Sequence, residues 1–328
     1  MKAYTSAELG AFLKSLTSDY DVRVPVEASD GTRVLGRPGD GPLALAGGAV
    51  SSKPTAVFFP HFERVFTQHD DQLDIQKPVE KPILVVGYTA EDAESLEFID
   101  RFYSENFRDD IYFNKRDGSV VLVVSGRCGK EGEFLKIAGG KCDLELICEG
   151  ERFVAVPYSI AGKGLVAKIG GGERVDDDVL EGLRRESDAL PTDDEELLRR
   201  ASNLLQKDKV PDEFWEAISD RCIACTSCNL VCPTCTCFEV FDRVKVSEVE
   251  RNRMWDSCQL GGFMREASGH NPMGREFQRT RRRIHHKLAA DVTRWETISC
   301  FLCGRCDEAC PTGIGIKAVC REMVEKYG

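Results

Sequence analysis

The chain lacks the features of a membrane-spanning or secreted protein. No run of apolar residues approaches the length of about eighteen that a transmembrane helix needs. The first residues, Met-Lys-Ala-Tyr-Thr-Ser-Ala-Glu-Leu, contain no apolar segment of the signal-peptide type. We therefore expect a cytoplasmic protein without membrane insertion.

Motifs that bind nucleotides or carry hydrolytic chemistry are also missing. The glycine runs at 46–48 and 170–172 lack the G-x-G-x-x-G spacing of a dinucleotide-binding turn. The sequence has no Walker loop, no G-x-S-x-G elbow and no H-E-x-x-H pair. The sequence therefore shows no flavin or dinucleotide fingerprint and no hydrolase motif.

The net charge of −11 comes from the N-terminal part. Residues 1–200 carry 25 basic and 37 acidic side chains, whereas residues 201–328 carry 19 and 18. An acidic chain without a recognition fold is unlike a nucleic-acid-binding protein, so we expect no nucleic-acid partner.

Cysteine, by contrast, is abundant and unevenly distributed. Twelve of the fifteen cysteines follow residue 220. In a reducing cytoplasm, clustered cysteines of this kind indicate metal ligands rather than disulfides. Cys128, Cys142 and Cys148 are scattered without ligand spacing, and we expect them to be structural.

Two cysteine runs share the spacing C-x₂-C-x₂-C-x₃-C-P, which binds [4Fe–4S] clusters in bacterial ferredoxins. Three thiolates of one loop converge on one cluster, and the fourth thiolate of that run ligates the other cluster. Zinc sites favour separated C-x₂-C pairs, so the triplets favour iron–sulfur over zinc. The prediction is that one cluster is held by Cys222, Cys225, Cys228 and Cys310, and the second by Cys300, Cys303, Cys306 and Cys232.

The apolar patterns predict an α+β protein, in which an N-terminal mixed α/β domain precedes an α-helical ferredoxin-like domain with two [4Fe–4S] clusters. We place an α/β partner-docking domain at 1–171, an acidic helical linker at 172–219 and the dicluster domain at 220–328. Because 67 residues separate Cys232 from Cys300, the dicluster domain carries a large insertion at 234–298.

Several elements can be placed within this outline. Periodicity predicts helices over 7–16 and 90–105 and a buried strand over 83–87. Two strand pairs are expected, 111–114 with 120–124 and 144–148 with 153–156. After Pro311, a glycine-containing segment leads into a closing helix. Its small residues would let backbone N–H groups point at the cluster sulfurs.

Three more cysteines, Cys235, Cys237 and Cys258, lie in the insertion. With one further ligand they could hold a third iron–sulfur or metal site, and the candidates for that ligand are Asp256, His270, His285, His286 and Cys320. The alternative is that the three are small buried hydrophobic residues packed beside the clusters.

The segment from Arg275 to Lys287 is dense in positive charge. A thiolate-ligated [4Fe–4S] cluster carries negative charge, so nearby arginines would raise its reduction potential. The same segment could instead be a docking surface for an acidic partner, or a solvated helix face.

Three motifs occur between the two cysteine runs, namely Cys232-Pro-Thr-Cys235-Thr-Cys237-Phe238, Trp255-Asp-Ser-Cys258 and Gly269-His-Asn-Pro272. On these motifs, residues 221–316 resemble a family of iron–sulfur subunits that serve cytosolic NADP-linked [NiFe] hydrogenases, as the beta subunit, and anaerobic sulfite reductases. Residues 53–63 and 82–100 resemble the same family more loosely. The family's Cys-Asp is replaced here by Glu91-Asp92.

The resemblance implies a non-catalytic subunit that relays electrons through two [4Fe–4S] clusters. Its expected partners are a flavin-containing NAD(P)H oxidoreductase subunit together with a hydrogenase or reductase catalytic subunit. A second hypothesis is a redox enzyme subunit with a substrate-binding metal site at Cys235, Cys237 and Cys258. A third is that the clusters only brace the fold.

Overall fold

The computed structural model describes residues 1–77 and 79–328 and has a mixed α/β architecture. The strands are β1 (Lys2–Thr5), β2 (Asp21–Glu27), β3 (Arg33–Gly36), β4 (Phe62–His69), β5 (Gln72–Ile75), β6 (Ile83–Tyr88), β7 (Val120–Arg127), β8 (Phe134–Leu135), β9 (Leu144–Glu149), β10 (Arg152–Pro157), β11 (Glu173–Arg174), β12 (Phe238–Val244) and β13 (Val249–Trp255).

The helices are α1 (Ser6–Ser15), α2 (Ala90–Ser104), α3 (Asp110–Arg116), α4 (Ile160–Ile169), α5 (Asp177–Asp188), α6 (Asp193–Gln206), α7 (Asp212–Ser219), α8 (Ser227–Leu230), α9 (Glu276–His285), α10 (Asp291–Trp295), α11 (Arg305–Glu308) and α12 (Ile316–Tyr327). A π-helical turn, His286–Ala290, joins α9 to α10. Within the described part of the chain, no helix is both long and apolar enough to cross a membrane.

The chain divides into two compact units. The first comprises Met1–Phe58 with Lys77–Leu190, and the second comprises Phe59–Gln76 with Pro191–Gly328. The hairpin of β4 and β5 therefore belongs to the second unit, although it comes from the N-terminal half of the sequence. The functional division into 1–171, 172–219 and 220–328 stays a prediction.

The first unit is built on a nine-stranded mixed sheet. Its order is β11-β1-β10-β9-β7-β6-β2-β3, and β8 pairs with β7. Strands β2, β6, β7 and β9 form parallel pairs, whereas β10 pairs antiparallel with β9. Every residue of β6 is buried, as is typical of a parallel strand covered on both faces. The strands predicted at 83–87, 120–124, 144–148 and 153–156 are confirmed, as are the helices at 7–16 and 90–105.

The strand predicted at 111–114 is wrong, because this segment lies in helix α3. The Asp109 side chain accepts a hydrogen bond from the Tyr112 amide at 2.9 Å and caps the first turn. Tyr112 and Phe113 are both buried, which gave the segment the apolar character of a strand. Periodicity over four residues does not distinguish a helix from a strand, and it takes no account of a capping residue that precedes the apolar run.

The core of the second unit is helical. It is formed by α6, α7, α9 and α12, which contribute Leu205, Trp215, Ile284 and Met323 among other fully buried side chains. The sequence pattern of 172–219 predicts helices, and α5, α6 and α7 confirm them. Cys222, Cys300, Cys306 and Cys310 pack against the edge of this core.

A four-stranded antiparallel sheet with the order β12-β13-β4-β5 completes the second unit. Arg253 of β13 is paired in register with Glu63 of β4, and its Nε donates to the Glu63 carboxylate at 3.0 Å. The Arg253 guanidinium also lies 5.1 and 5.2 Å from the ring centroids of Phe59 and Phe238. Both ionic side chains are about 95% buried, at 5% and 4% relative exposure. This ion pair joins two segments that are far apart in the sequence.

Replacing Glu63 with Gln should destabilise the second unit, because the buried Arg253 guanidinium loses its counter-charge. Removing one partner of a buried ion pair costs about 3–5 kcal/mol. All three tryptophans of the chain, Trp215, Trp255 and Trp295, lie in this unit, so tryptophan fluorescence during chemical denaturation reports on it. The matched control is Asp242→Asn, which removes an acid from the exposed Arg251–Asp242 pair of the same sheet. Equal denaturation midpoints for the two variants would contradict this account.

Candidate iron–sulfur site

The two cysteine runs fold into loops with the same unusual backbone conformation. In the first run Ala224 and Thr226 have φ values of 50° and 64°, and in the second run Leu302 and Gly304 have φ values of 60° and 75°. These are equivalent positions, two and four residues after the first cysteine. A residue with a side chain loses about 1–2 kcal/mol in this left-handed conformation. Strain of this kind, held at matching positions, is a feature of functional loops.

Each loop is followed by one short helix and then by the fourth cysteine of its run. Helix α8 separates the first loop from Cys232, and α11 separates the second loop from Cys310. The helices α8 and α11 pack against each other. This packing sets the two runs side by side, so that the end of each run lies near the loop of the other.

The first group of thiols surrounds a cavity in the second unit. The cavity is lined by Cys222, Cys225, Cys228 and Cys310, together with residues that include Gln259 and Arg283. The amide of Ile314 donates a hydrogen bond to Cys310 Sγ at 3.3 Å. We call these four cysteines thiol set 1. The sequence assigns these four to one cluster, with the fourth cysteine of one run joining the triplet of the other, an arrangement that we call crossed ligation. The structure brings the four together.

The second group contains thiols of both runs as well. Cys300 lies within electrostatic reach of Cys306 and Cys232, and Cys306 also lies within reach of Cys232. Cys303 is half-buried in the same loop. We call Cys300, Cys303, Cys306 and Cys232 thiol set 2. Here too the fourth cysteine of one run lies beside the triplet of the other.

Two buried cations, Arg283 and Lys287, lie between and beside the thiol sets. Arg283 is near Cys228 and Cys306 and donates to Cys306, and Lys287 donates to Cys232 and lies near Cys300. Both side chains are more than 90% buried, at 6% and 7% relative exposure. Burial by itself lowers the pKa of Lys287, but the surrounding thiolates raise the pKa well above its ordinary value. A chain that buries two cations beside eight thiols fits an anionic, thiolate-bound group.

The other basic residues of the 275–287 segment have different partners. Arg279 is buried and donates to the carbonyl oxygens of Gln259, Met273 and Gly274 at 2.9–3.0 Å. Arg281 pairs with Asp208 and Asp212 on the outer side of α9 at 3.0 and 3.1 Å. One face of this helix therefore faces the thiols, and the other face is solvated.

Cys237 and Cys258 form a thiol pair, and Cys235 lies next to this pair but makes its hydrogen bond with a different thiol. The Cys237 thiol contacts Cys258, and Asn229 Nδ2 donates to Cys258 Sγ at 3.1 Å. These two donors lower the pKa of Cys258 to about 6. Cys235 contacts Cys232 of thiol set 2 and lies within electrostatic reach of Cys237.

Of the candidates for a further ligand beside Cys237 and Cys258, His286 lies within electrostatic reach of Cys258. Cys320 is fully buried in the helical core, His286 pairs with Asp291 at 3.3 Å, and His270 is exposed. The Asp256 carboxylate accepts from the Ser257 amide at 2.6 Å, and His285 is half-buried on α9. Among the described residues, no three His, Cys, Asp or Glu side chains converge on the position of a single metal ion. The ligands of a four-iron cluster surround a volume, since each thiolate binds its own iron.

Sequence reasoning missed the polar residues that link the two runs. Thr234 donates to the Ser299 carbonyl at 2.7 Å and accepts from Lys287 Nζ at 2.6 Å. Asn229, which binds Cys258, lies between Cys228 and Cys232. The four-residue spacing of Arg279, Arg283 and Lys287 indicates one helix face and could have separated the buried cations from the exposed ones.

Replacing Thr234 with Val should destabilise the protein, because the Ser299 carbonyl and the Lys287 ammonium each lose a buried partner. Leaving buried polar groups unpaired costs about 1–3 kcal/mol. The measurement is the denaturation midpoint of the anaerobically purified chain. Thr293→Val is the control, since the exposed Thr293 hydroxyl donates to the Ala289 carbonyl of the preceding π-helical turn at 3.1 Å. A Thr234→Val midpoint as high as that of the control would show that the bridge contributes nothing.

Comparisons with known proteins agree with this geometry. The chain is 26% identical over 257 residues to the sulfhydrogenase 2 subunit beta of Pyrococcus furiosus, and the alignment covers 74% of each protein. No solved structure matches this chain. The family model of the 4Fe-4S dicluster domain matches residues 221–314. The resemblance recognised in the sequence is thereby confirmed: residues 221–314 match the 4Fe-4S dicluster domain, and the chain is similar to a sulfhydrogenase beta subunit.

Proposed function

We propose that this chain is the electron-transfer subunit of a cytoplasmic oxidoreductase complex. Thiol set 1 would hold one [4Fe–4S] cluster and thiol set 2 a second, in a ferredoxin-like domain. The observation that carries the proposal is the crossed arrangement, in which Cys310 lines a cavity with the first triplet and Cys232 lies beside the second. Clusters of this type accept and release one electron at a time.

The residues around the thiols suit a relay. The paired loops hold each triplet in a fixed conformation, and the helical core excludes water from the inner side of Cys300 and Cys306. In thiol set 1, the Ile314 amide donates a hydrogen bond to Cys310 Sγ, and the Thr312 hydroxyl oxygen lies 3.5 Å from the same sulfur. Hydrogen bonds to cluster sulfurs and limited solvent access are the protein's means of setting a reduction potential.

The partners follow from the same proposal. A flavin-containing NAD(P)H oxidoreductase subunit would deliver electrons, and a hydrogenase or reductase catalytic subunit would consume them. The name of the Pyrococcus relative, a sulfhydrogenase subunit, favours hydrogen chemistry in the partner. The acidic residues 1–171 would be the docking domain, because surface charge of one sign selects partners and speeds their association.

Crossed ligation can be tested with two reciprocal pairs of substitutions. Cys225→Ser with Cys310→Ser alters two ligands of one cluster under crossed ligation, so about four of about eight irons should remain. One electron paramagnetic resonance signal should persist unchanged. Cys225→Ser with Cys232→Ser alters both clusters, so iron should fall towards zero. Ligation within each run would give the opposite pair of results, and a wild-type chain that binds zinc but no iron would overturn the whole proposal.

The contact between Cys237 and Cys258 favours a second candidate, an additional metal site with an open position for a substrate. The third cysteine, Cys235, contacts Cys232 and lies within electrostatic reach of Cys237. If the chain only relays electrons, Cys237→Ser with Cys258→Ser should retain about eight irons and both resonance signals. A wild-type content near twelve irons, reduced to eight in this double variant, would support the second candidate instead.

A further inference from the structure

Arg283 and Lys287 interact unequally with the two thiol sets. Arg283 donates to Cys306, and Lys287 donates to Cys232, and both acceptors belong to thiol set 2. Lys287 also lies within electrostatic reach of Cys300. In thiol set 1, Cys228 and Cys310 lie within electrostatic reach of Arg283.

The hydrogen-bond donors to Cys310 of thiol set 1 are neutral. Cys310 Sγ accepts from the Ile314 amide at 3.3 Å and lies 3.5 Å from the Thr312 hydroxyl. A neutral donor stabilises negative charge less than a cation does, and charge-assisted hydrogen bonds are about twice as strong as neutral ones. The two sets therefore differ in Lys287, which lies beside Cys232 and Cys300 of thiol set 2. Thiol set 2 also has an acid beside it, Asp307, which accepts from the Cys306 thiol at 3.7 Å.

The positions of the two cations are fixed by other contacts. Arg283 donates to the Ile314 carbonyl at 2.9 Å, and Lys287 donates to Thr234 Oγ1 at 2.6 Å. Asp291, the acid within electrostatic reach of Lys287, is already paired with His286 and accepts from Ser299. Lys287 lies in the π-helical turn that follows α9, and such turns are frequent at functional sites.

We propose that Arg283 and Lys287 set the order of the two reduction potentials, with the cluster of thiol set 2 the more easily reduced. This inference rests on the proposed function, since it requires both clusters. Reduction adds one negative charge, and a buried cation stabilises that charge strongly because the local dielectric is low. Lys287 would act on set 2 alone, and Arg283 would act on both sets.

The test is a redox titration of the full-length chain under anaerobic conditions, followed by electron paramagnetic resonance. Lys287→Gln should lower the higher reduction potential and leave the lower one unchanged. We expect a change of tenfold or more in the reduction equilibrium constant, and a tenfold change corresponds to 59 mV for one electron. Arg283→Gln should lower both potentials. Lys287→Arg, which keeps the charge, should restore the higher potential.

Arg281→Gln is the matched control, because it removes the same charge from the same helix but on the face that pairs with Asp208 and Asp212. It should change neither potential by more than about twofold in equilibrium constant, since exposed charges are screened by solvent. Equal shifts in Arg281→Gln and Lys287→Gln would overturn the inference, since they would reduce the effect to overall charge. An unshifted higher potential in a Lys287→Gln chain with both clusters would also overturn it.

The order of potentials can also be assigned without changing either cation. Cys310→Ser alters a ligand of thiol set 1, so it should change the lower-potential signal. A change in the higher-potential signal would contradict the proposed order even if Lys287→Gln fails to bind iron. If the proposed function itself is wrong, the unsubstituted chain will show fewer than two electron paramagnetic resonance signals before any titration. That result differs from every outcome described for the variants.

Discussion

The second unit depends on positive charge buried beside its thiols. Eight cysteines gathered into a unit with a helical core would carry several negative charges into a region of low dielectric, and uncompensated buried charge is strongly unfavourable. Arg283 and Lys287 supply compensation from a single helix and its π-helical turn. Arg281, on the opposite face of the helix, pairs with acids instead of thiols.

The same helix joins the elements that position the thiols. Ser202 of α6 donates to the Leu288 carbonyl at 2.5 Å, and Arg279 holds the loop that contains Gln259. Thr234 connects Lys287 to the chain just before the second cysteine run. The π-helical region thus links the first run, the insertion and the second run, so the insertion is part of the site rather than an appendage to it.

Much of the site could be predicted from sequence because its information is local. The cysteine spacings predict the two triplets, and the matched backbone of Ala224 and Leu302 follows from equal loop lengths. The closing helix was also predictable, and Ile314 donates its amide to a thiol sulfur as expected. The sequence suggests that small residues in this segment let the backbone approach a cluster. The structure shows a different constraint at Gly315, because a Cβ there would lie 2.2 Å from Asp307 Oδ1. That carboxylate accepts from the Lys317 amide in the first turn of α12.

Long-range pairings had no local signal. The match of Glu63 with Arg253 joins residues 190 positions apart, and nothing in 238–255 indicates that this hairpin pairs with β4. Helix α3 was mistaken for a strand because its apolar residues are consecutive, whereas its N-terminal cap depends on one side chain, Asp109. Thr234 and Asn229 are common polar residues, and their importance becomes visible only when their partners are placed beside them.

The most direct test of the central claim is a crystal structure of the anaerobically purified chain, with anomalous diffraction measured at the iron absorption edge. The account predicts two iron peaks per chain, one bonded to Cys310 and the first triplet, the other to Cys232 and the second triplet. A peak bonded to all four cysteines of one run, or a signal at the zinc edge in its place, would contradict it.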